Sequence, residues 1–243
     1  KSYEVCSKLG LLSFQAGDLD NSINYFKRTL LLDSKSSLAY SNLGLVYSKL
    51  NNQDLAYENY LKAYEIDPKN FIVNYNLANH FFSNNDDKNA EKYYQLSIEI
   101  NPQHFYPYNN LFQLYDRSNN LDKLEKLFNN ILKLFGRSSQ VQFLEGTLQF
   151  KKKNYKETIK IFKSLELNKN DYQKSVLITN ILAKCYDHIG FYPDAYKYYS
   201  LSNKMTENTF KNKFNKNEFN DRVSKRLGSI TNNKKELLID NEI

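Results

Sequence analysis

A recurrence of 34 residues constrains this chain more than any other feature. Between Ala39 and Pro68 the sequence places Leu43-Gly44, Tyr47, Ala56, Tyr60, Ala63 and Pro68. Leu77-Ala78, Phe81, Ala90, Tyr94, Ser97 and Pro102 occupy the same places 34 residues later. Agreement at this many places marks a structural repeat, and a repeat array is a quasi-linear object rather than a domain around one central core. The residue types give the physical reason for the spacing. Gly44 and Ala56 remove bulk where two antiparallel helices must approach, while Leu43, Tyr47 and Tyr60 fill the space around that contact. Pro68 cannot continue the second helix.

The pattern Tyr40-x-x-Leu43-Gly44-x-x-Tyr47, Ala56-x-x-x-Tyr60-x-x-Ala63 and Asp67-Pro68 resembles the tetratricopeptide repeat (TPR), with Tyr40 where tryptophan is commonest. The resemblance covers residues 3 to 207. It implies an all-α fold: a right-handed TPR superhelix (α-solenoid) of about six helix–turn–helix repeats plus a C-terminal capping helix. The first repeat aligns Leu9-Gly10 with Leu43-Gly44 and Phe26 with Tyr60, and Gly17-Asp18 marks its turn. The fourth keeps Leu111 and Tyr115 but puts Phe112 and Leu124 at the small places, which is expected to push its helices apart or shift their crossing. The fifth keeps Gly146 and Phe162 with Thr158 at the small place of its second helix. A slip of three residues around Asn168 to Asp171 precedes the sixth, which has Ala183, Tyr186, Gly190, Ala195 and Tyr199. Residues 1–207 are thus expected to form the array, and 208–243 a capping helix with a basic tail or linker.

Composition agrees with a folded helical chain. Hydrophobic residues make up 41% and charged residues 25%, and seven glycines and four prolines leave little room for turn-rich architecture. No apolar run approaches a membrane span, and the chain opens at Lys1 inside a helical pattern, which reads as a fragment. Cys6 and Cys185 fall in repeats that should not touch, so both are expected as buried free thiols in a reducing, cytoplasmic compartment. Asparagine, lysine, isoleucine and tyrosine are abundant, as from an AT-biased genome.

The net charge of +7 is concentrated late in the chain: nine Lys/Arg face three Asp/Glu between Lys204 and Lys235. Phe210, Phe214, Phe219, Val223 and Leu227 recur at helical intervals there, before Gly228, as in an amphipathic capping helix. The run Gly190-Phe191-Tyr192-Pro193-Asp194-Ala195-Tyr196, then Ser202-Asn203-Lys204 and a helix bearing Phe and Arg, looks like the end of the TPR half of bacterial TPR–sulfotransferase proteins. That resemblance implies a downstream catalytic domain beyond residue 243 that takes a sulfuryl group from 3′-phosphoadenosine 5′-phosphosulfate. The Pro-Arg-Ser-Gly-Thr type of phosphate loop of such a domain has no match within the chain.

Catalytic chemistry is sparse. Neither Gly-x-x-x-x-Gly-Lys-Ser/Thr nor Gly-x-Gly-x-x-Gly occurs, so no cofactor is expected. His80, His104 and His188 lie in three different repeats without metal-ligand spacing, and His80 and His188 are expected on helix surfaces. The chain reads as a non-catalytic protein-interaction scaffold that binds an extended peptide or partner protein. In TPR arrays the first (A) helix of each repeat lines the concave groove. Asn42, Asn76 and Asn110 fall there at intervals of 34, resembling the asparagine ladder of the TPR half of O-linked N-acetylglucosamine transferase. A free carboxamide could pair with the backbone of an extended guest. Tyr75, Asn79, Tyr106, Asn109 and Gln113 extend this surface, and Lys49 and Arg117 stand near helix ends. The stretch Phe71 to Phe82 holds no Lys or Arg, which argues against a chaperone-type carboxylate clamp. A nucleic-acid reading rests on the basic tail and on an aromatic content of 15%, but most of those aromatics fall at packing places.

Overall fold

The structure, a computed structural model, describes residues 2–165 and 172–207. These hold twelve α-helices and no strand. The first unit contains α1 (Ser2–Gln15), α2 (Leu19–Leu32), α3 (Ser37–Lys49), α4 (Gln53–Ile66), α5 (Phe71–Ser83), α6 (Asp87–Ile100), α7 (Phe105–Arg117), α8 (Leu121–Phe135) and α9 (Ser139–Lys151). The second contains α10 (Tyr155–Ser164), α11 (Tyr172–His188) and α12 (Tyr192–Glu207). The expected capping helix and basic tail, and the slip at Asn168 to Asp171, lie outside the described residues.

The helix boundaries repeat with the sequence. Each second (B) helix of the first four repeats starts at an N-cap, in turn Asp18, Asn52, Asp86 and Asn120. Each cap side chain accepts a hydrogen bond from the backbone N–H three residues on, at Asn21, Leu55, Asn89 and Lys123 respectively. The A helices α3, α5 and α9 are capped in the same way by Ser36, Asn70 and Ser138. Two residues before each of the first five B helices the backbone turns through the left-handed region. Gly17 (φ 82°), Asn51 (59°), Asn85 (59°), Asn119 (53°) and Lys153 (61°) all do so. Glycine carries no Cβ penalty there and asparagine tolerates the region, so part of the chain's asparagine content is placed by backbone geometry. Lysine has neither excuse.

Inside the hairpins, small residues set the helix separation. A Cβ built on Gly44 would lie 2.5 Å from a ring carbon of Tyr60, and one on Gly10 would lie 2.7 Å from the ring of Phe26. Tyr60 and Phe26 are buried, as are Ala56, Ala78 and Ala90. In the fourth hairpin Phe112 and Leu124 are buried in place of the small pair, and α7 and α8 run close together over a much shorter stretch than α3 and α4 or α5 and α6. This fits the first of the two expectations, helices held farther apart by the bulky pair. Leu9 is exposed although its equivalents Leu43, Leu77 and Leu111 are buried, because those three are covered by the preceding repeat.

The second unit builds its α11–α12 hairpin on the buried alanines Ala183 and Ala195, with Gly190 (φ 81°) at the turn. Tyr186 stacks on Tyr198 with ring centroids 5.5 Å apart, and Lys163 of α10 lies over Tyr186. Cys185 is buried there, and burial pushes its thiol up to about 11 despite a bond with Thr158. Cys6 of the first unit is also buried, and both thiols are free. No helix among the described residues is long and apolar enough to cross a membrane.

The strained turn supplies a test. Lys153→Gly removes a Cβ from the left-handed region, a gain of about 1–2 kcal/mol, against glycine's entropy cost of about 0.5–1 kcal/mol. Urea denaturation should show a net gain of about 0.5–1 kcal/mol. The same change at Asn119 should give less, and equal gains at the two sites would contradict the assignment.

Candidate interaction face

The candidate face lies on α3, α5 and α7, the A helices of the second to fourth repeats. Its geometry follows from one offset. Side chains on an A helix reach residues that lie 35 positions earlier, one more than the sequence period. Asn76 Nδ2 donates to Ser41 Oγ at 2.9 Å, and Asn110 Nδ2 donates to the Tyr75 hydroxyl at 3.1 Å. Arg117 donates to the Phe82 carbonyl at 3.2 Å while its guanidinium sits 4.2 Å from that ring's centroid. Lys151 donates to the Asp116 carbonyl at 3.1 Å, and Lys49 lies over the Phe14 ring. Five contacts at one separation tie successive A helices in register.

Two of the three ladder amides are therefore engaged within the array rather than free. Asn76 is buried against Ser41. Asn110 is the centre of a network: it also donates to Asn79 Oδ1 at 2.8 Å, which accepts a second bond from the buried Tyr94 hydroxyl at 2.7 Å. Asn109 Nδ2 in turn donates to Asn110 Oδ1 at 3.2 Å. Burial raises the Tyr94 hydroxyl's affinity for its proton, so it remains a donor to Asn79. Asn42 alone of the three is half-buried with no side-chain hydrogen bond among the described residues. Arg117 is likewise structural, since it also bonds Asn85 Oδ1 at 3.1 Å and pairs with Asp87.

What the face presents outward is uncharged. Tyr106 and Gln113 are exposed, and Tyr75, Asn79 and Asn109 are half-buried. Beside them Leu38, Ile72 and Tyr106 stand at equivalent places on α3, α5 and α7 with 41%, 44% and 56% exposure. Leu38 and Ile72 were missed in the sequence, although three large apolar side chains at intervals of 34 were there to be read. Apart from Lys49, Asp116 and Arg117 in the last turns, the three helices carry no Lys, Arg, Asp or Glu. Charge gathers at the B helices instead: Glu91 accepts from Lys123 at 2.6 Å and from the Tyr115 hydroxyl at 2.7 Å. Burial pulls the Glu91 carboxyl up, but these two bonds together hold it below the usual carboxylate range.

His80 corrects the expectation of a surface histidine. It is buried, stacked on Tyr57 with centroids 5.4 Å apart, and 5.7 Å from the Tyr60 ring. Its place corresponds to Val46 and Leu114, both buried. Burial lowers its pKa from the ordinary 6.5. His188 is exposed and stacks on Tyr155. Among the described residues no three His, Cys, Asp or Glu side chains are grouped to hold a metal.

Family models described as tetratricopeptide repeat match residues 3–36, 37–70 and 55–105. Solved structures extend the likeness in fold. A tetratricopeptide repeat protein from Parabacteroides merdae is 20% identical over 86% of this chain and 79% of that one, with a TM-score of 0.64. PilF of Pseudomonas aeruginosa is 17% identical over 81% and 88%, with a TM-score of 0.67. PilW, a type IV pilus biogenesis factor, is 15% identical over 82% and 91%, with a TM-score of 0.68. Among curated proteins none matches in sequence. Residues 3–105 are tetratricopeptide repeats, within an all-α chain of helix–turn–helix repeats.

The amide assignments separate by mutation. Asn76→Ala leaves the Ser41 hydroxyl buried without its partner and should cost about 1–3 kcal/mol in urea denaturation. Asn42→Ala should stay within about 0.5 kcal/mol of the parent. Equal losses would contradict the division between engaged and free amides.

His80 predicts a pH dependence. Its folded pKa lies below 6.5, so between the two values the unfolded chain binds the extra proton. Stability should therefore fall as pH drops from about 6.5 toward the folded pKa, then level off. His80→Phe should flatten that part of a denaturation series measured from pH 8 to pH 5. An unchanged slope would place the titration elsewhere.

Proposed function

We propose that the chain is a protein-interaction scaffold that holds an extended segment of a partner against the A helices of its second to fourth repeats. The observation that carries this reading is the row Leu38, Ile72 and Tyr106, three large apolar side chains left open at equivalent places on successive helices. Apolar surface repeated at one-repeat intervals gives a guest a regular series of contacts. The amides beside it, Asn42, Asn79, Asn109 and Gln113, offer hydrogen bonds to a guest backbone without demanding a charged side chain. Asn76 and Asn110 act through position: they hold α5 and α7 in register so that the row stays aligned.

Selection from a displayed random-peptide library tests the reading. Peptides enriched on the full chain should lose roughly tenfold or more in affinity for the double variant Ile72→Asp with Tyr106→Asp. They should bind normally to Leu31→Asp, which alters an exposed leucine on the B helix α2. Both variants should keep the parent's melting temperature. A library that yields no enriched peptide, or peptides indifferent to the double variant, would overturn the proposal.

A further inference from the structure

The hydrogen-bond network under the face leaves a specific remainder. Asn79 Oδ1 already accepts from both Tyr94 and Asn110, while its amide hydrogens have no partner among the described residues. The Tyr75 hydroxyl accepts from Asn110, and its own hydrogen is likewise unpaired. The open groups on this side of α5 are therefore donors, one and two turns along the helix from the open Ile72. Helix α5 carries no Lys, Arg, Asp or Glu at all, so nothing there selects a charged guest.

Spacing adds a second constraint. Packed helices lie about 8–10 Å apart, and a guest crossing successive A helices must present the same side to each at that interval. A β-strand shows one face every second residue, about 6.6 Å, and falls out of step. A polyproline II helix turns once every three residues, a rise of about 9.3 Å, and stays in step. Such a segment rich in proline also offers carbonyl acceptors with few competing N–H donors, and its rings suit flat contact with tyrosine.

Resting on the scaffold reading above, we infer that the guest is a proline-rich, uncharged segment of another protein, bound as a polyproline II helix across α3, α5 and α7. Tyr75 and Asn79 donate to its carbonyls, and Leu38, Ile72 and Tyr106 receive its every third residue.

Fluorescence anisotropy with the full chain and three labelled peptides tests this: decaproline, the strand-forming (Thr-Val)5 and the flexible (Gly-Ser)5. Decaproline should bind at least tenfold more tightly than either comparator, with little change between 50 and 500 mM salt. Tyr75→Phe, which removes the hydroxyl alone, should weaken decaproline about 2- to 10-fold, as for one neutral hydrogen bond. Tyr106→Ala should weaken it by at least fivefold. Circular dichroism should show both variants folded, and a variant that melts early is replaced by Asn79→Ser in the same assay. Preference for (Thr-Val)5, or equal binding of all three peptides, would overturn the proline assignment and leave the scaffold reading standing. No binding of decaproline at 1 mM would also overturn it. The library selection judges the scaffold reading independently, because its peptides are unbiased in composition.

Discussion

The close crossing of two helices inside the first three hairpins is the contact on which much of the first unit depends. At Gly44 the ring of Tyr60 occupies the space a Cβ would need, and Phe26 does the same at Gly10. Dense packing of this kind leaves little tolerance, so the second and third hairpins take nearly the same shape. Equal shape is what allows one hairpin to stack on the next through repeated contacts. Where Phe112 and Leu124 replace the small pair, the fourth hairpin loses that close approach. Buried side chains still pack it on its neighbours, and polar and charged ties add to them: Asn110 and Arg117 toward α5, and Lys123 toward Glu91 of α6.

Those ties share an offset, and the offset explains why amides and cations stand where they do. A long side chain pointing across to the neighbouring A helix lands one residue short of its own equivalent, so its partner lies 35 positions back. Where the landing point is a hydroxyl, as at Ser41 and Tyr75, an asparagine fits. Where it is a carbonyl near a helix end, as at Phe82 and Asp116, a cation fits, because the last carbonyls of a helix lack internal donors. In a solenoid stability is a sum of repeat and neighbour terms, so each such bond secures one interface only.

This also marks how far the sequence could be read. The period, the small pairs and the helix boundaries were legible because each is a property of one position repeated: Gly44 must be small, Pro68 must end a helix. The partners of Asn76 and Asn110 were not, since a period of 34 identifies equivalent residues but not which residues touch. The free ladder expected from Asn42, Asn76 and Asn110 therefore reduces to Asn42 and the remainder of the Asn79 network. His80 was misplaced for the same reason. Its polarity suggested the surface, but its position, shared with Val46 and Leu114, faces the preceding hairpin. Asn51, Asn85 and Asn119 passed for compositional bias because a left-handed φ leaves no mark in hydrophobic pattern. Gly17 was the one member of that series whose residue type announced the turn.

The engaged amides would bear on the proposed binding even without touching a guest. A side chain that must be ordered on association costs about 0.5–1.5 kcal/mol in lost rotamer freedom. Tyr75 and Asn79 are already fixed by Asn110, and Asn110 by Asn109, so the donors of α5 have been ordered by folding. A ladder of fully free asparagines would have borne that cost again with every guest. The network beneath the face thus ties α7 to α5 and, with the same bonds, fixes the side chains whose remaining hydrogens the proposed guest would use. A surface built in this way favours a guest that is itself stiff, because two ordered partners have the least freedom to lose.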